Sequence, residues 1–172
     1  MILTRTTAPL LATLALALAV MPGVADAGAA DPAKGVTDSP TEYRAPVDGA
    51  VLRLFDPPAV RWGRGHRGVD LATSDGTVRS PGAGVVTFSG TIVDRGVVTV
   101  RHPDGLRSSL EPVEDAPPVG TPVAAGDPLG QVAASTHCGA QPCAHWGVRR
   151  GEDYIDPLGL LGDATVVLLP VQ

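Results

Sequence analysis

The chain has 172 residues, of which 13 are Lys or Arg and 18 are Asp or Glu, giving a formal net charge of −5. The basic residues are scattered, which leaves no groove for a nucleic acid, and the 21 Gly and 17 Pro stay below the roughly 25–30% at which a chain without order is the expectation. Aromatic residues make up only 3%, so Val, Leu and Ala must build the core.

In chain order, the first feature is a leader. Arg5 supplies a positive charge, Ala8 to Val20 is an apolar run, Gly23 interrupts it, and Ala25-Asp26-Ala27 forms a small-x-small cleavage signal. That order describes a secretory signal peptide over residues 1–27. The rival is an uncleaved anchor, but the run is short of the about 20 apolar residues that span a bilayer. The expectation is export, with no stable membrane insertion after cleavage. Residues 28–43 are rich in Ala, Asp, Pro, Thr and Ser without apolar periodicity and read as a flexible linker. Residues 44–172 are long enough for one domain with one core.

From Arg44 short apolar runs follow one another: Ala50–Phe55, Gly84–Phe88, Gly96–Arg101, Leu106–Leu110, Leu129–Ala133, Ala144–Arg149 and Thr165–Leu169. Turn signals separate them at Asp75-Gly76, Ser89-Gly90, Pro103-Asp104-Gly105 and Gly126-Asp127-Pro128. Short Val-rich runs with regular turn punctuation predict an all-β fold, an antiparallel sheet or sandwich. No amphipathic stretch is long enough for a helix. The phrases Ala45-Pro46-Val47-Asp48-Gly49 and Ser80-Pro81-Gly82-Ala83-Gly84 echo each other, as in biotinyl and lipoyl carrier domains. A carrier needs a lysine at a hairpin tip, and the only lysine, Lys34, lies in the linker.

Two strings carry chemistry. In Gly65-His66-Arg67-Gly68-Val69-Asp70-Leu71 the His and Asp are four apart, which places both on one side of a helix or of an extended segment. The glycines argue against a helix. In Cys143-Ala144-His145-Trp146-Gly147-Val148-Arg149 a strand puts Cys143 and His145 on one face. A neighbouring strand can then bring His145 to His66 and Asp70. Two imidazoles and a carboxylate suit Zn²⁺, and three protein ligands leave a fourth position open, as in catalytic sites. The two cysteines, Cys138 and Cys143, are expected to pair in an oxidising compartment and to shape the turn before His145.

These strings, with Gly76-Thr77-Val78-Arg79-Ser80-Pro81, Val123-Ala124-Ala125-Gly126-Asp127-Pro128-Leu129-Gly130 and Asp156-Pro157-Leu158, resemble the lysostaphin-type zinc endopeptidases that cut peptide cross-bridges of bacterial cell walls. The resemblance runs from about Ala45 to Leu161. It implies a compact antiparallel β domain with loops framing a groove, zinc held by His66, Asp70 and His145, and a peptidoglycan peptide as partner. The expected location is outside the bacterial cell, free or at the wall.

The same resemblance exposes two departures. The first His of the family's His-x-His motif falls on Cys143. The His of its Tyr-x-His-Leu phrase falls near Pro112 in Leu110-Glu111-Pro112-Val113. Losing one oxyanion donor alone can cost about 10²–10³ in rate. Glu111 is a candidate general base. His137 is a second candidate if a Cys138–Cys143 loop folds it back. Cys143 could instead be a fourth zinc ligand, which would close the site. Arg149, Arg150 and Asp153 could meet acidic groups of a wall peptide, and Trp62 or Trp146 could stack on substrate or pack in the core. The leading reading is a secreted zinc endopeptidase. Its rivals are a degenerate relative that binds wall or regulates a wall hydrolase, and a purely structural zinc domain.

Overall fold

A computed structural model describes residues 41–134, 138 and 141–162. The leader, most of the linker, His137 and the run Thr165–Leu169 lie outside the described residues.

The fold is all-β, as expected. Seven strands form the path of the larger sheet: β1 (Val51–Arg53), β2 (Val69–Ala72), β10 (Cys143–Arg150), β6 (Leu106–Glu111), β5 (Arg95–Arg101), β4 (Gly84–Ile92) and β8 (Pro122–Val123). β11 (Asp153–Ile155) pairs with β10 as an eighth strand. A second sheet has the order β3 (Thr77–Arg79), β9 (Pro128–Val132), β7 (Val113–Glu114). All pairings are antiparallel. A 3₁₀ turn covers Pro157–Leu160, capped by Asp156, which accepts from the Leu158 N–H.

Alternation along the central strands sets the architecture. In β6, Leu106, Ser108 and Leu110 are buried while Arg107, Ser109 and Glu111 lie on the other face. In β10, Ala144, Trp146 and Val148 point into the same core. The core is mostly aliphatic, built on Val69, Val78, Val86, Val98, Val100, Leu110, Leu129 and Val148, with Trp146 its largest fully buried side chain. Trp146 is therefore a core residue, whereas Trp62 is 87% exposed.

Sequence and structure differ at three places. Ser89-Gly90 is not a turn; it lies inside β4, which runs on to Ile92. The chain reverses instead at Val93-Asp94, where Val93 adopts φ 60° and Ile92 pairs with Arg95. A β-branched residue at positive φ is strained, and the tip carries no Gly to announce it. The short strands β2, β3, β7, β8 and β11 add to the runs read from sequence. All four residues of β2 are buried, so it shows no period-two pattern. Tyr43, assigned to the linker, is buried in the core. Its ring stands 5.0 Å from that of His102, and its hydroxyl donates to Asp104 at 3.0 Å. Burial and the adjacent Asp104 carboxylate push the phenol well above its ordinary range.

Candidate metal centre

β2 and β10 pair so that Asp70 stands directly opposite His145. On the other side of β10, Glu111 of β6 stands opposite His145. Directly opposed residues share a face, so Asp70, His145 and Glu111 form one row across three strands. His66 reaches the row from the loop before β2. Its backbone exchanges both hydrogen bonds with Asp56, at 2.6 and 2.9 Å, and its Nδ1–H donates to the Leu54 carbonyl at 2.7 Å. Gly68 permits the close approach. A Cβ there would lie 2.3 Å from the Trp146 carbonyl oxygen and 2.7 Å from His145 Nε2.

Three donor atoms converge. His66 Nε2 is 3.0 Å from Asp70 Oδ1 and 3.1 Å from His145 Nδ1, and His145 Nδ1 is 2.8 Å from Asp70 Oδ1. A tetrahedral ion with bonds of about 2.0–2.1 Å separates its ligand atoms by roughly 3.3 Å. The triangle thus matches the donor set of one ion, slightly drawn in. Proton accounting agrees. With Nδ1–H committed to Leu54, a neutral His66 presents a bare lone pair at Nε2, facing a carboxylate oxygen. Two acceptors in contact need a positive charge between them, supplied by a second ring proton or by a metal ion. His66 and Asp70 are buried, and the His145 side chain is 15% exposed, so the centre opens on the His145 side. These three residues could hold a metal ion.

The other site residues read from sequence are placed unequally. Glu111 shares the face of His145, but its Oε1 is bound by Arg95 Nε at 3.0 Å and its side chain is 21% exposed. Arg95 has no sequence signal that ties it to this row; only the β5–β6 hairpin shows it. Cys143 is bonded to Cys138, with Cα atoms 6.2 Å apart, as expected. Among the described residues there is no free cysteine, so Cys143 offers no thiolate and the alternative of a closed four-ligand site does not hold. Pro112 is fully buried and follows a cis peptide bond after Glu111. His102 lies elsewhere. Its ring nitrogens meet the Ala83 carbonyl and the Ser108 hydroxyl, both at 2.8 Å, and Trp146 Nε1–H donates to the same hydroxyl at 3.3 Å. This network is structural. Sequence reasoning missed the Leu54 carbonyl and the Asp56 bridge that aim His66, because backbone partners leave no residue signature.

Comparison with known proteins extends the geometry. The model of Peptidase family M23 matches residues 64–157, a span that contains all three donors. An uncharacterized protein of Mycobacterium tuberculosis is 44% identical over 129 residues, 72% of this chain and 52% of the relative. The chain spans about half the length of the curated relatives it matches. A putative peptidase M23 from Pseudomonas aeruginosa has a similar structure, with TM-score 0.56 and 29% identity over 70% of this chain and 50% of that one. The antimicrobial peptidase lysostaphin from Staphylococcus simulans gives TM-score 0.56 at 20% identity, covering 75% and 59%. At that identity the likeness concerns the fold. Among the described residues no helix is long and apolar enough to cross a membrane.

Proposed function

Because the chain belongs to peptidase family M23, we propose that it is an exported zinc endopeptidase acting on peptide bonds of peptidoglycan, with His66, Asp70 and His145 as the metal ligands. The observation that carries this reading is the triangle of His66 Nε2, Asp70 Oδ1 and His145 Nδ1, with sides of 2.8 to 3.1 Å. Zinc bound there supplies Lewis-acid polarisation of the scissile carbonyl and acidification of water. The chain's own residues do the rest. Buried His66 and Asp70 fix the ligand frame, and the Leu54 carbonyl sets the His66 tautomer. His145 stands at the open mouth. Glu111, beside it on β6, is the proton acceptor on this face, and Arg95 holds it in place. His137 remains a second candidate for that role.

A second reading rests on a specific observation. The positions where the resemblance places two catalytic histidines hold Cys143, tied up in a disulfide, and buried Pro112. A chain that keeps the metal and has lost its acid/base partners would bind wall peptides or regulate a wall hydrolase. Dye release from purified peptidoglycan by the zinc-loaded protein, with Asp70→Ala as control, decides between them. Release that vanishes in the variant supports the hydrolase. Zinc binding and wall binding with no release support the regulator.

A further inference from the structure

Four residues along β10 from His145, the open face carries a feature the metal triad does not use. Arg149 stands directly opposite Arg107 of β6, and Arg107 directly opposite Arg101 of β5. The even spacing places this row on the face of His145 and Glu111. At 3.3–3.4 Å per residue it lies about 13 Å from the triad, and with strands about 4.8 Å apart it is about 10 Å wide.

Like charges in directly opposed positions repel. Among the described residues one carboxylate answers this row: Glu152, 2.9 Å from Arg149 and 3.6 Å from Arg107. Glu152 also takes Arg61 at 3.2 Å. Arg101 is exposed and has no ionic partner among the described residues. Arg149 Nε is buried with no hydrogen-bond partner. Positive charge and donor capacity are therefore in excess here, on a chain whose net charge is −5. The surface is also concave. A hollow of about 430 Å³ is lined by the three arginines with Thr99, Ser109 and Phe88. On β10 the buried Gly147 is covered by the Arg67 backbone and the Tyr154 ring, but on β6 only the short, half-buried Ser109 lies between Arg107 and Glu111.

We infer that the Arg101–Arg107–Arg149 row binds a carboxylate of the peptide presented to His66, Asp70 and His145. The chain then selects an extended peptide bearing a free carboxylate about four residues from the bond held at the triad. This rests on the reading that a wall peptide occupies this face. Guanidinium forks match carboxylates in paired, charge-assisted hydrogen bonds. An extended strand laid over Glu111, Ser109 and Arg107 of β6 covers the distance.

The test is isothermal titration of the full zinc-loaded mature chain with three probes: a synthetic wall stem peptide with free carboxylates, the same peptide fully amidated, and an oligophosphate. The acid peptide should bind about tenfold or more tightly than the amide, and added salt should shrink the gap. The double variant Arg101→Gln/Arg107→Gln should bring the two within about twofold, with the unfolding midpoint unchanged or raised as repulsion is relieved. Where the double exchange unfolds the protein, Arg101→Gln alone should still narrow the gap. Equal binding of acid and amide in the native protein overturns this inference and leaves the proposed function standing. Binding of neither overturns both. Tighter binding of oligophosphate, lost in the same variant, makes the row a phosphate site and overturns the carboxylate assignment.

Discussion

Alternate residues of β6 and β10 build two faces that differ in kind. Inward, Leu110, Trp146 and Val148 are fully buried, and the few polar groups among them close on one another through Ser108, His102 and Trp146. Outward, their immediate neighbours Glu111, His145 and Arg149 are half-buried and carry the titratable and charged groups, His145 beside His66 and Asp70 and Glu111 held by Arg95. One residue of register separates the two, since a slip by one would exchange every side chain. The inner face therefore fixes the outer one. Trp146 anchors the strand that presents His145, one residue before it, and Arg149, three residues after it, on the outer face. Stability should respond to inward substitutions and ligand chemistry to outward ones.

The sharpest way to break that division is Trp146→Ala. Removing a fully buried Trp should cost about 3–5 kcal/mol of unfolding free energy, measured by urea denaturation of the metal-free protein. Its neighbour His145→Ala, read the same way, should cost far less. Next comes Glu111→Gln on the outer face. If Glu111 is the proton acceptor, peptidoglycan hydrolysis should fall about 10²-fold or more, with zinc content and unfolding midpoint unchanged. Ser108→Ala then probes the inner network. It leaves the Trp146 N–H and His102 Nε2 unpaired in the core and should cost about 1–3 kcal/mol without altering zinc affinity. The smallest effect is on pH dependence. Burial holds the His102 pKa below its ordinary value. The unfolded chain then binds more protons as pH drops below about 6.5. This contribution to stability is complete above that pH and is lost as pH falls through the lower folded value. The urea midpoint should decline from pH 7.5 to 5.5, and less so in His102→Gln.

Much of the inner face was legible in the sequence because alternation leaves a pattern: Leu106–Leu110 and Ala144–Arg149 both became strands of the central sheet. β2 was not legible as a strand, since burial on both faces erases the pattern. The β4–β5 turn was misplaced because Ser89-Gly90 carries a turn signal and Val93-Asp94 carries none. On the outer face, His66, Asp70 and His145 could be named from residue type and family resemblance, and the β2–β10 pairing brings them together. The arginine row could not be read, because Arg101, Arg107 and Arg149 become neighbours only through the strand order β5-β6-β10. The Arg95–Glu111 pair is equally silent in sequence, and it fixes the carboxylate of the candidate base.

The account stands most directly on the metal. Equilibrium zinc titration of the native protein and of His145→Ala should show one zinc per native chain. The variant should lose more than the roughly 10–100-fold in affinity that loss of an outer-shell partner costs. A His145→Ala protein that still holds one zinc per chain with native affinity would contradict the assignment of His66, Asp70 and His145 as the metal centre.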